Sequence, residues 1–98
     1  MPSSDEVVNK IINFIKGLGL GEVSVEEYGR ERVIIIGIAE DLSIYVSVVC
    51  NGECDVEYAL GDENFTIRPE HVGRLRDAVD VIMKLNEYLR GQGIIRTE

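Results

Sequence analysis

The side chains best suited to chemistry gather in three places. The first is Arg68-Pro69-Glu70-His71-Val72-Gly73-Arg74-Leu75-Arg76, a basic island that holds the single histidine. Pro69 suits the first turn of a helix, where a missing N–H costs nothing. The N–H groups of such a terminus can bind an anion, with Arg68, His71 and Arg74 in reach. The competing reading is ordinary surface support. Arg74 and Asp77 are three apart, Arg76 and Asp80 four apart, and such pairs contribute a few tenths of a kcal/mol each. No glycine-rich phosphate loop precedes the island. His71 adjoins Glu70, but no Ser or Cys is tied to it by a nucleophile signature. No catalytic residue is assigned, and the expectation is a protein that is not an enzyme.

The second place is Cys50 and Cys54. Their C-x3-C spacing is not that of a redox C-x-x-C motif, and the lone His71 is too distant in sequence to complete a four-ligand metal site. Two readings stay open: two small buried thiols, or a local disulfide across a turn. The third place is the acidic run Glu53, Asp55, Glu57, Asp62 and Glu63. Residues two apart on a strand lie nearly 7 Å apart, too far to chelate one ion closely without help from the loop. A solvated acidic face is the better account, so no metal and no cofactor are expected.

Composition narrows the partners. The 98 residues carry a formal charge of −8, and a field of that sign repels phosphate, which argues against nucleic acid. There is no apolar run of about 18 residues to span a membrane, and the start, Met-Pro-Ser-Ser-Asp-Glu, lacks the pattern of a secretory signal. The expectation is a cytoplasmic protein. The preference for Arg over Lys, with Ile and Val abundant, resembles thermophile composition.

The elements that must position these residues read as one α+β domain over 1–98. Ser3 and Glu6 have capping-box spacing. Val7, Val8, Ile11, Ile12, Ile15 and Leu18 then recur at helical spacing, and Gly17 and Gly19 stop the helix, giving a span of about 4–17. Strands are expected over about 21–28, 32–39, 42–49 and 53–60. Phe65 to Arg68 is a possible short fifth strand. The second strand, continuously apolar, reads as buried on both faces. A helix over about 69–90 follows, with Val72, Leu75, Val79, Ile82 and Leu89 as its apolar stripe, widened by Ala78 and Leu85. The tail from Ile94 is apolar enough to dock.

Turn chemistry sets the register. Gly29-Arg30 suits a two-residue hairpin that puts Val25 opposite Ile34 and Val23 opposite Ile36. A three-residue loop from Ala39 puts Ile38 opposite Leu42. At Asn51-Gly52 a two-residue loop would set apolar side chains against acidic ones. A three-residue loop, Cys50-Asn51-Gly52, sets Val48 opposite Cys54 and Val46 opposite Val56 instead. The expected fold is a two-layer sandwich: an antiparallel meander of four or five strands with both helices on one face.

The opposite face then has an apolar centre, Val33, Ile35, Tyr45 and Val49, between acidic outer strands. Soluble monomers rarely leave a large contiguous apolar patch wet. Its occupant is expected to be a second copy of the chain, another protein, or the chain's own Ile94-Ile95 tail. The sequence therefore points to a protein-interaction module, self-associating as a homodimer or binding another protein. A small anion- or ligand-binding domain built on Arg68–Arg76 is the alternative. The order helix, meander, long helix is similar to that of small acidic chaperone-like domains such as the bacterial type III secretion chaperones and the YbjN-like proteins. That resemblance implies action through dimerisation or partner binding. It rests on topology and charge, and it assigns no site residue. Secretion chaperones also place a helix between their strands, and this sequence shows none there.

Overall fold

A computed structural model describes residues 2–96; Met1, Thr97 and Glu98 lie outside the described residues. The chain begins with α1 (Ser4–Gly17). Ser3 caps it, its hydroxyl accepting from the Glu6 N–H at 3.2 Å, while Asp5 and Glu6 face the positive end of the helix dipole. Gly19, at φ 88°, reverses the chain two residues after the helix ends. Val7, Ile11 and Ile15, spaced four apart, are fully buried on one face.

Four strands follow: β1 (Val23–Tyr28), β2 (Glu31–Ala39), β3 (Leu42–Asn51) and β4 (Glu53–Gly61). They form one antiparallel sheet in the order β1-β2-β3-β4. The segment 65–68 is irregular and adds no fifth strand. Pro69 opens not an α-helix but a six-residue 3-10 turn (Pro69–Arg74), and α2 begins at Leu75 and runs to Gly91. None of the described helices is long and apolar enough to cross a membrane.

The first hairpin has the expected register, with Val25 opposite Ile34 and Val23 opposite Ile36. The β2–β3 ladder agrees along its length, with Ile36 opposite Ile44, but its turn differs. Ala39 pairs with Leu42 across a two-residue turn, and Ile38 bulges between the Gly37 and Ala39 pairs. Asp41 supplies the positive φ, 58°, that a turn without glycine needs. The third hairpin is shifted by two residues from expectation. Cys50 faces Cys54, Val48 faces Val56 and Val46 faces Tyr58, with Gly52 alone at the tip at φ 84°. A slip of two residues leaves every side chain on its expected face, so hydrophobic patterning alone could not detect it. Cys50 and Cys54 are joined by a disulfide, rather than lying as two separate thiols.

Both helices pack on the inner face of the sheet. Ile34, Ile36, Ile44, Val46 and Val48 meet Val7, Ile11 and Ile15 of α1 and Ala78, Leu85 and Leu89 of α2. Burying each of the Val, Ile and Leu side chains contributes about 1.5–3 kcal/mol, and the Ala78 methyl less. Polar and aromatic contacts fix the helices in place. Phe14 stacks on Tyr88 with ring centroids 4.5 Å apart, Lys10 donates to Gln92, and Asn86 accepts from the Tyr58 hydroxyl at 2.8 Å. α2 buries Ala78, Leu85 and Leu89, all on the expected face, whereas Val79 is 45% exposed and Val72, in the 3-10 turn, 61%. β2 is likewise not buried on both faces. Ile34 and Ile36 are fully buried, while Val33 and Ile35 are half-buried.

Candidate interaction surface

Strand alternation assembles the outer face row by row. Ser24, Ile35, Tyr45 and Ala59 lie side by side across the four strands, and Glu26, Val33, Ser47 and Glu57 form the next row. Val49 follows on β3, opposite Asp55. Four of the residues singled out in the sequence, Val33, Ile35, Tyr45 and Val49, therefore share this face. All four are half-buried, shielded by their sheet neighbours but covered by neither helix.

The flanks are acidic. Glu22 and Glu26 line the β1 side, Asp55 and Glu57 the β4 side, and the strand positions of this face carry no Lys or Arg. The carboxylates are partly tethered from within the face. Tyr28 donates to Glu26 at 2.8 Å, and the Ser47 hydroxyl donates to Glu31. The negative field is legible in the phenols. Tyr28 is held above its ordinary pKa by its hydrogen bond to Glu26 and that carboxylate's charge. Tyr45 is pushed up by burial first, and then by Asp62, Glu63 and Glu26.

One end of the face is shaped by the 62–68 loop. Gly61, at φ 153°, lies so close to the returning backbone that a β-carbon would come within 2.6 Å of Phe65. That approach folds Phe65 onto Tyr45 edge-to-face at 4.9 Å, and the Tyr45 hydroxyl donates to the Asp62 carbonyl at 3.0 Å. The Asp62 carboxylate accepts from the N–H groups of Thr66 and Asn64 and is approached by Arg68. These contacts, in that order, hold its pKa below the ordinary carboxylate range. Beside Tyr45 opens a hollow of about 1000 Å³, lined by Gly37 and Ser43, by the acidic Glu22, Glu40, Asp41, Asp62, Glu63 and Glu70, and by the basic Arg68. Gly37 leaves room for the Glu22 carboxylate, which would sit 2.8 Å from a β-carbon there.

Phe65 escaped the sequence reading because the segment looked like a fifth strand. The available signal was Asp62 followed by Asn64, a spacing suited to an Asx turn rather than to a strand.

The other singled-out residues lie elsewhere. Ile94 is buried in the core cluster, and Ile95 packs against it. Among the described residues the tail thus turns to the helix side, close to Cys54 and Val56, and does not reach Val33, Ile35 or Tyr45. Arg96 continues along it to pair with Glu53 at 2.9 Å. Ile94 and Ile95 therefore belong with the core, drawn there because its open end offers apolar surface.

Arg68, His71 and Arg74 do not converge on one point. Arg68 pairs with Asp62 at 3.4 Å; His71 is buried, its Nδ1 accepting from the Arg68 N–H at 3.2 Å. Arg74 pairs with Asp77 at 3.0 Å and also donates to the Ile38 carbonyl. With α2 starting at Leu75, the helix terminus expected to hold an anion is not at Pro69. Among the described residues, no group of three or more His, Cys, Asp or Glu is placed to hold a metal ion. Comparison with protein-family models, curated proteins and solved structures finds no match to this chain.

Proposed function

We propose that this chain is a non-enzymatic protein-interaction module whose outer sheet face makes the contact. One observation carries the reading: Val33, Ile35 and Tyr45 form an apolar centre under neither helix, while the apolar tail Ile94-Ile95 is spent on the core and Phe65 covers only the Tyr45 end. A sheet face meant only for water needs polar residues at those positions, as β3 has at Ser43 and Ser47. Contact with a second copy or with another chain would bury the centre. Sedimentation of the full chain and of Ile35→Asp tests the self-associating form. A dimer that Ile35→Asp converts to a folded monomer supports it. A dimer untouched by both Ile35→Asp and Tyr45→Asp moves the contact off this face.

A further inference from the structure

Resting on that reading of the outer face, we infer that its occupant is not a second copy of the chain but a basic amphipathic helix of another protein, laid along β2 and β3. Charge opposes a second copy. Glu22, Glu26, Glu31, Asp55 and Glu57 occupy outer-face positions around Val33, Ile35 and Tyr45, without a Lys or Arg among the strand positions, while Glu53 at the end of β4 is already paired with Arg96. In either aligned two-fold packing of this face on itself, apolar centre meets apolar centre. The β1 and β4 flanks then meet β1 or β4 flanks, carboxylate against carboxylate, across sheets about 10 Å apart. Self-docking is opposed wherever it is not apolar, whereas a partner with Lys or Arg on both sides of an apolar row satisfies both parts at once. Raised tyrosine pKa values on this face have carboxylates among their causes, in keeping with that field.

Size opposes it as well. The apolar centre is two strands wide and a few alternate positions long, roughly 10 Å by 20 Å. A standard interface takes about 800 Å² from each partner, and a homodimer's is more apolar than most. The centre is too small for that role, but it has the width of one helix, about 10–12 Å. β1 and β4 lie three strand spacings apart, roughly 14 Å. Lys and Arg on the flanks of a helix over the centre reach both rows of carboxylates. Docking there completes a three-layer arrangement, with the new helix on the face opposite α1 and α2.

The test uses the full chain, isotope-labelled, and a synthetic Leu/Lys peptide of about 14 residues patterned as an amphipathic helix, roughly 21 Å long. We expect saturable binding with amide shifts gathered on β2 and β3, weakened about tenfold or more between roughly 50 and 500 mM salt. A Gly/Lys peptide of equal charge should bind at least about tenfold more weakly. The double variant Glu26→Gln, Glu57→Gln should lose about fivefold and Ile35→Ser about tenfold, each keeping the parent's amide dispersion. Equal binding of the Gly/Lys peptide overturns the inference, as do shifts spread over the whole acidic surface or gathered on the exposed Val72, Val79 and Met83 of the second helical segment. Failure to bind, with a dimer that Ile35→Asp dissociates, overturns the basic helix and leaves the outer face as the contact surface. Failure to bind, with no association that Ile35→Asp alters, overturns both.

Discussion

The two faces of this sheet are made by the same strands and differ by a single step along the chain. Ile34 and Ile36 are fully buried; Val33 and Ile35, their immediate neighbours, are half-buried. Side-chain apolarity does not separate them, because β2 is apolar on both faces. Cover separates them. The inner face lies under α1 and α2, and the outer face has Phe65 over one end. β3 answers that difference in part, with Ile44, Val46 and Val48 inward and Ser43 and Ser47 alternating with Tyr45 and Val49 outward. β2 does not, and a strand that keeps Val and Ile on its wet side is the feature any account of function has to explain.

The largest test of the contrast is on the core side. Ile36 is fully buried between Val23 and Ile44. Ile36→Ala removes its transfer energy and leaves a cavity that the packed helices cannot close, at a cost of about 2–5 kcal/mol. Ile35→Ala, one step away, opens only to solvent and should cost about 1 kcal/mol or less. Urea midpoints for the two variants measure the difference. Equal losses would mean that Ile35 is packed as tightly as Ile36, and the contrast between the faces would fail.

A second, smaller effect tests the end of the core. The disulfide closes a short loop, with Cys50 and Cys54 only four residues apart in sequence. Chain-entropy accounting for so short a loop gives about 2 kcal/mol. Denaturation with and without reductant should differ by about that amount. Backbone at this end is also tied to α1, through the Cys50 N–H donating to the Ser4 hydroxyl. The double variant Cys50→Ala, Cys54→Ala should therefore keep its inner-face packing while losing hydrogen-exchange protection at the hairpin tip.

The same contrast explains what could be read from the sequence. Period-two alternation located the strands, and a cap, a heptad-like stripe and two glycines located α1, because each is a local signal with a local cause. The first hairpin was legible because Gly29 heads its two-residue turn, at φ 60°. The β3–β4 register was not, since two registers two residues apart satisfy the same facial pattern and only the pairing of Cys50 with Cys54 separates them. The buried line of α2 was legible at Ala78, Leu85 and Leu89, but its apolar residues outnumber those the sheet can cover, so that Val79, expected in the stripe, and Met83 remain outside. The apolar centre of the outer face was visible from alternation. Its neighbour Phe65 was not, because it arrives through the close approach of the backbone at Gly61, a long-range contact with no period to announce it.

The finest test reads the two faces through their tyrosines. Tyr58, on the inner side, is pushed up to about 12 by burial. Tyr28, on the outer side and more than half exposed, is raised first by its hydrogen bond to Glu26 and then by that carboxylate's charge. A phenol whose pKa is higher folded than unfolded, where it is about 10, holds its proton more tightly in the native state. Its contribution to stability is therefore complete below pH about 10 and is lost as pH rises toward about 12 for Tyr58. Phenolate absorbance followed against pH should show Tyr58 titrating late. Tyr58→Phe should remove that late step and flatten the fall in stability across the same window. Glu26→Gln should bring the Tyr28 titration down toward its ordinary value without moving Tyr58, since burial, unlike a surface carboxylate, is untouched by that exchange. Movement of both would mean that the carboxylates of the outer face act through the sheet, and that the two faces are one electrostatic environment rather than two.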